Sequence, residues 1–138
     1  ICEADLYISD LSIFDAELSR SCYYGKMVPG FSDDWVFDWD GERITRVGKE
    51  GTDRYNMVGV SYFKKADAAV IRDAIDAAYE KPGYEGLYWD EIVDRQLDKL
   101  NLDIHPVEKE QIVEIDSVAE LAVIDESYRE VLEKMQAE

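Results

Sequence analysis

The sequence predicts an α/β fold, a mixed sheet with flanking helices and one inserted antiparallel hairpin. Three observations predict it. Short apolar runs alternate with segments of helical periodicity. Asp40-Gly41 separates two strand-like runs, the signal of a tight hairpin turn. Ile112-Val113-Glu114-Ile115-Asp116-Ser117-Val118-Ala119-Glu120 reads as a strand running straight into a helix, with Ser117 as N-cap and Glu120 as its capping-box partner. Asp116 is thereby placed at the rim of a sheet, where open α/β sheets bind ligands. Ile1-Cys2-Glu3-Ala4-Asp5 is a similar run ending in a carboxylate, so two aspartates at two strand ends could share one metal ion.

A length of 138 residues suffices for one domain with a core, and 46% hydrophobic residues exclude a disordered chain. No apolar run approaches the ~18 residues of a membrane span. The chain opens on Ile1 without a basic n-region, so no secretory signal is read and a cytoplasmic location is expected. Thirty-two acidic residues against 15 basic ones give a net charge of -17, which repels nucleic acid and anionic membranes. Such a surface is either a solvated acidic face or a field that draws in cations. Cys2 and Cys22 lack metal-binding spacing and are too few for a disulfide framework, so reduced thiols are expected.

In chain order, Ile1–Ala4 reads as the tail of a strand that begins outside the sequence. Asp10–Arg20 carries Leu11, Phe14 and Leu18 at helical spacing with Asp10 as cap. Ser21–Val28 is a strand ahead of a Pro29-Gly30 turn. Asp34–Arg46 is the hairpin, with Trp35, Phe37 and Trp39 on one face by period two. Gly48–Arg54 is polar and reads as a loop. Tyr55–Phe63 is apolar enough for a central strand covered on both faces. Ala66–Tyr79 is a helix with Val70, Ile71, Ala74, Ile75 and Ala78 in a stripe, stopped by Pro82-Gly83. Tyr84–Tyr88 is an aromatic loop, and Trp89–Leu100 a second helix. Asp103–Val107 is an edge strand, since Pro106 cannot donate to a ladder. Gln111–Ile115 is the next strand, and one helix is read over Val118–Met135 with Leu121, Ile124, Tyr128, Val131, Leu132 and Met135 inward.

Five motifs come in a familiar order: Glu3-Ala4-Asp5, Trp35 on a strand, Val58-Gly59-Val60-Ser61 leading into a helix, Leu87-Tyr88-Trp89-Asp90, and Glu114-Ile115-Asp116-Ser117. Each is weak alone. Together, over nearly the whole chain, the series resembles the C-terminal half of the bacterial CTP:phosphocholine cytidylyltransferases. The resemblance implies an incomplete nucleotidyltransferase-type, Rossmann-like sheet. It implies transfer of a cytidylyl group from CTP to phosphocholine or a similar phosphorylated alcohol, with pyrophosphate released. It places Asp5 and Asp116 as catalytic ligands of Mg²⁺, which neutralises phosphate oxygens and aligns the attack. It places Trp35, Tyr88, Trp89 and Asp90 at the choline end, where aromatic faces attract a quaternary ammonium.

One departure is large: the family's Gly-rich triphosphate loop and its basic residue have no counterpart here. Residues 1–138 are therefore expected to be the C-terminal portion of a domain whose nucleotide-binding half is absent, with 130–138 as a linker candidate. Such a chain is expected to be inactive alone, and a bare sheet edge would favour a homodimer.

Structural readings stand beside the functional ones. Asp5 is also an ordinary turn residue, and Asp116 an ordinary residue before an N-cap. Trp35, Phe37 and Trp39 also suit a packed sheet face. Asp90 complements either an ammonium or the helix dipole. His105 beside Pro106 reads as structural. Ser61, Ser117 and the cysteines lack a histidine and acid for nucleophilic catalysis. The alternative function is a non-catalytic acidic α/β module that binds a protein or a cation.

Overall fold

The structure is a computed structural model and describes residues 1–137. Its strands are β1 (Leu6–Ile8), β2 (Cys22–Trp39), β3 (Ile44–Tyr62), β4 (Asp103–Pro106) and β5 (Ile112–Glu114). Its helices are α1 (Lys65–Tyr79), α2 (Trp89–Asp94), α3 (Val118–Ile124) and α4 (Arg129–Gln136). β2 lies between β3, to which it is antiparallel, and β4, to which it is parallel, while β1 pairs antiparallel with β5. The mixed sheet, flanking helices and inserted hairpin follow the sequence reading.

β2 and β3 form one long ribbon that folds back on itself. Its tip is the expected turn: Asp40 Oδ1 accepts the N–H groups of Glu42 and Arg43 at 2.9 Å each, and Gly41 takes φ +100°. Near the base, Cys22–Val28 pairs with Arg54–Tyr62, and near the tip Trp35–Trp39 pairs with Ile44–Lys49. Val36 and Phe37 pair a second time, with Asn56 and Tyr55. The tip thus lies along the base, and Val36 and Phe37 are buried to 0% and 1% exposure. Asp38 holds the fold-back from both sides, accepting from Arg46 Nε at 2.9 Å and Arg54 Nε at 2.8 Å. The bond from Arg46 and then that from Arg54 hold its carboxyl below the usual range, against partial burial.

The expected loop over Gly48–Arg54 is corrected by this ribbon: the segment is strand with a bend in it. Glu50 and Asp53 take φ 65° and 54°, and Asp53 Oδ1 accepts the Gly30 N–H at 2.8 Å. Pro29-Gly30 is the bend on the opposite strand, not a terminus. Bends in a ribbon use the same residues as turns, which is why the stretch reads as a loop. Trp35 and Phe37 pack with the core, but Trp39 beside the tip is 45% exposed.

Period two along β2 divides the core. Tyr23 joins Phe37, Ile44, Val93, Leu100 and Leu102 on one face, while Cys22 and Tyr24 join Ile13, Val58, Val60 and Ile112 on the other. α1 has no capping side chain of its own. Ser21 supplies one from β2's approach, accepting the Lys64 N–H at 2.8 Å and donating to Asp67 in the first turn.

Other expectations are corrected. Asp10 does cap a turn, but only Leu11–Phe14 is helical, because Ile13 alone there is buried and no apolar stripe supports a longer helix. Ile1–Ala4 is not a continuous strand: Cys2 alone faces Val60, and Ala4-Asp5 turn before β1. The second helix ends at Asp94 and continues only as turns. The last helix is broken at Asp125, which takes φ -128° and ψ 107° and accepts the Ser127 N–H at 2.9 Å, a local bond that competes with the helix. Tyr128, Val131 and Met135 are accordingly exposed, not inward. The linker candidate 130–138 is helical to Gln136, and its last residue, Glu138, lies outside the described residues. Both cysteines are free thiols, and burial, then Asp103, pushes that of Cys22 up to about 11. Among the described residues no helix is long and apolar enough to cross a membrane.

Candidate functional site

The β1–β5 pair brings the two acidic motifs together. Leu6 faces Glu114, and the Ile115 N–H donates to the Asp5 carbonyl at 2.8 Å. Facing Cα atoms in such a pair lie about 5 Å apart and one further residue adds about 3.8 Å, so Asp5 and Asp116 fall within roughly 10 Å of each other. Glu3 reaches the same place from the other side, its N–H donating to the Gly59 carbonyl at 2.9 Å.

The tight carboxylate group is Glu3, Asp5 and Glu114, each offering an oxygen within 4.8 Å of the others. Asp116 is not in that group but stands close enough to be the leading charge acting on Glu114. Burial first, then Asp116, Asp5, Asp34 and Glu3, raises the Glu114 carboxyl above its ordinary value. Burial and then Asp5 raise that of Glu3. Among the described residues none of these four acids makes an ion pair with a lysine or arginine. Oxygen-only donors that repel one another fit a hard cation such as Mg²⁺. Glu3 has room only because residue 59 is glycine: Gly59 takes φ +72°, and a Cβ there would stand 2.6 Å from Glu3 Oε2.

A cleft of about 250 Å³ adjoins the acids, lined by Glu3, Asp34, Trp35, Gly59, Tyr88, Trp89, Asp90 and Glu114. α2 sets its far wall. The Glu91 carboxylate accepts the Tyr88 N–H at 2.9 Å, which fixes the start of the helix. Trp35 and Tyr88 meet edge to face, with ring centroids 5.6 Å apart. Trp89 instead stacks on Tyr23 at 6.0 Å and packs with the core. Asp90 is 5% exposed and its Oδ1 accepts from the Tyr23 hydroxyl at 2.8 Å. Burial pushes the Asp90 carboxyl up to about 6, with Glu3 adding to the rise while the Tyr23 bond opposes it. Burial raises the Tyr23 hydroxyl strongly as well. Asp90 is therefore the buried acid of the cleft, more than a dipole partner at a helix start.

Sequence reasoning missed Glu3, Asp34 and Glu114. A signal was there for two of them, since Glu3/Asp5 and Glu114/Asp116 are matching i, i+2 acid pairs. His105 packs on Tyr24, with centroids 4.6 Å apart, away from the cleft.

The backbone path is shared with known enzymes. It superposes with a TM-score of 0.75 and 24% identity on a CTP:phosphocholine cytidylyltransferase from Streptococcus pneumoniae, covering 93% of this chain and 56% of that one. The fold is that of a nucleotidyltransferase. A nucleoside-diphosphate-sugar pyrophosphorylase from Vibrio cholerae shares it more loosely, with a TM-score of 0.57 and 16% identity over 86% of this chain and 52% of that one. In sequence this nucleotidyltransferase-fold chain is 51% identical over 129 residues to a 2-aminoethylphosphonate cytidylyltransferase of Lancefieldella rimae, covering 93% of this chain and 52% of the relative. It is 26% identical over 127 residues to a choline-phosphate cytidylyltransferase of Streptococcus pneumoniae, covering 91% and 55%. The chain is thus similar in sequence to two cytidylyltransferases and spans about half the length of the curated relatives it matches. No protein-family model matches it.

Proposed function

We propose that this chain forms the acceptor-binding and metal-binding part of a cytidylyltransferase, which transfers the cytidylyl group of CTP to a small phosphonate or phosphate with a cationic head. An acceptor oxygen attacks the α-phosphorus of CTP and pyrophosphate leaves. The observation that carries this reading is the juxtaposition of an aromatic pair and a buried carboxylate in one cleft with an adjoining acidic cluster that has no ion-pair partner among the described residues. The first two suit the cationic head and the third suits the metal that phosphoryl chemistry needs.

The acceptor we favour is 2-aminoethylphosphonate over phosphocholine. A primary ammonium carries three N–H donors that need acceptors, whereas a quaternary ammonium carries none. Beside the acids assigned to the metal, the cleft offers Asp90 and Asp34 as acceptors, and the sequence likeness is greater to the relative named for 2-aminoethylphosphonate. In this proposal Asp90 holds the ammonium, with Tyr23 fixing its orientation from behind. Trp35 and Tyr88 exclude water from the alkyl chain. Glu3, Asp5 and Glu114, with Asp116 beside them, would hold Mg²⁺, which would neutralise phosphate oxygens. No Gly-rich triphosphate loop occurs in the 138 residues, so the proposal assigns triphosphate binding to a segment of the intact protein outside them.

The test is pyrophosphate release by the intact protein with CTP and each acceptor. The reading expects turnover with a higher kcat/KM for 2-aminoethylphosphonate. Absence of release with either acceptor would defeat it.

A further inference from the structure

The Trp35–Tyr88 pair has a second side. Away from the acidic cleft it borders another cavity, of about 520 Å³, lined by Arg46, Lys49, Gly86, Glu91 and Arg95 among others. There the Lys49 Nζ lies 5.7 Å from the Trp35 ring centroid and 5.6 Å from that of Tyr88. The two centroids are themselves 5.6 Å apart and the rings are inclined at 70°. The ammonium therefore sits in the corner of a two-walled aromatic box, within the ~6 Å at which a cation–π contact operates.

The ribbon fixes this placement. Lys49 faces Trp35 in the β2–β3 register, one residue before the bend at Glu50. Tyr88 is brought to the same point by the capped start of α2. Among the described residues Lys49 has no ion-pair partner, although the chain carries 32 acidic residues. Its ammonium is turned to the rings instead.

We propose that Lys49 is a specificity-determining residue. Its tethered ammonium fills the aromatic corner and so excludes acceptors with a quaternary ammonium. The carboxylate-lined side of the same pair is left to a primary ammonium. This rests on the acceptor reading above. A quaternary ammonium is recognised mainly by aromatic faces and cannot use the N–H acceptors of the cleft. To bind here it must displace Lys49 or stand beside a like charge. A primary ammonium avoids both, since Asp90 and its neighbours hold it from the other side. The Trp35–Tyr88 pair is then a partition between two cations, one belonging to the protein and one to the substrate.

The experiment compares the intact protein with its Lys49→Met and Lys49→Arg variants. The first measurement is the ratio of kcat/KM for phosphocholine to that for 2-aminoethylphosphonate. The proposal expects Lys49→Met to raise this ratio at least tenfold and Lys49→Arg to leave it within about threefold. An unchanged ratio in Lys49→Met, including equal losses with both acceptors, would overturn it. The second measurement needs no turnover: titration with tetramethylammonium chloride, read by tryptophan fluorescence against a sodium chloride control. Saturable quenching in Lys49→Met and not in the parent supports the proposal; equal quenching in both, or in neither, overturns it. If the parent turns over neither acceptor, the proposed function fails and the titration still decides the role of Lys49.

Discussion

Replacing Asp90 by asparagine is expected to stabilise the protein at neutral pH while disabling its acceptor site. Asp90 is 5% exposed and its carboxyl is raised from 3.8 to about 6, chiefly by burial. A carboxyl that is harder to ionise in the folded state than in the unfolded state lowers stability wherever both are ionised. Below about pH 3.8 it is protonated in both states and costs nothing. Between there and about pH 6 the unfolded chain loses its proton first, so stability falls as pH rises. Above about pH 6 the full cost is present. A gap of roughly two pH units corresponds to about 3 kcal/mol. Asparagine has nearly the same shape, cannot ionise, and keeps an oxygen for the Tyr23 hydroxyl. Its amide N–H groups need partners in the cleft, which offsets part of the gain and leaves about 1–3 kcal/mol. Urea unfolding of parent and Asp90→Asn from pH 4 to pH 8 measures this directly. The advantage of the variant should be smallest at the acid end and grow through about pH 6 to its full value at pH 8. A difference that is independent of pH, or that grows in the opposite direction, would refute the reasoning. With 2-aminoethylphosphonate the same variant should raise KM far more for the acceptor than for CTP.

Other outcomes follow from the same geometry. Gly59→Ala should lower Tm, since an L-residue at φ +72° costs about 1–2 kcal/mol and its Cβ would strike Glu3; it should also weaken Mg²⁺ activation, measured by metal titration of turnover. Glu114→Gln should raise the Mg²⁺ concentration needed for half-maximal rate at least tenfold while far-UV circular dichroism stays the same. The raised carboxyls of Glu3 and Glu114 predict that Mg²⁺ activation weakens on acidification at a higher pH than for ordinary carboxylates, because metal and proton compete. Trp35→Ala should raise KM for the acceptor several-fold, the effect of roughly 1 kcal/mol, with KM for CTP nearly unchanged; equal effects on both substrates would mark Trp35 as a core residue only.

Much of this was legible in the chain because local chemistry determined it. Asp40-Gly41 makes its turn, Ser117 caps α3 with Glu120, and the α1 stripe predicts its helix almost to the residue. The fold-back of the ribbon was not legible, since the second pairing of Val36 and Phe37 depends on residues some twenty positions away. The stop at Asp125 was hidden for another reason. Apolar periodicity runs through it, whereas Asp125 leaves the helical conformation and accepts the Ser127 N–H, a local bond that competes with the helix. The site divides in the same way. The motif aspartates Asp5 and Asp116 could be named, and their backbones do approach. Glu3 and Glu114 close around Asp5 while Asp116 stands outside the tight group, because pairing register and Gly59, not motif identity, set which side chains converge. The aromatic pair was foreseen as two residues from distant segments; the lysine in its corner was not, because nothing in the run Val47-Gly48-Lys49 sets it apart from an exposed loop.

The acids at positions 3, 5 and 114 come from segments more than a hundred positions apart, whereas the ribbon that carries Trp35 and Lys49 is closed by segments adjacent in sequence. Contacts between near neighbours close quickly, and those between distant segments wait for the loop to be paid in entropy. Mutually repelling carboxylates are then gathered last, onto a frame already formed, so their repulsion opposes docking of the chain ends more than formation of the hairpin. Native-state hydrogen exchange should show this as a graded opening: the amides of Glu3, Ile112 and Glu114 should exchange at lower free energy than those of the ladder joining Cys22–Val28 to Arg54–Tyr62. A cation gathered by the acids would raise protection at the ends first. The ion would then act as a clasp, joining the first few residues of this chain to a strand more than a hundred positions later.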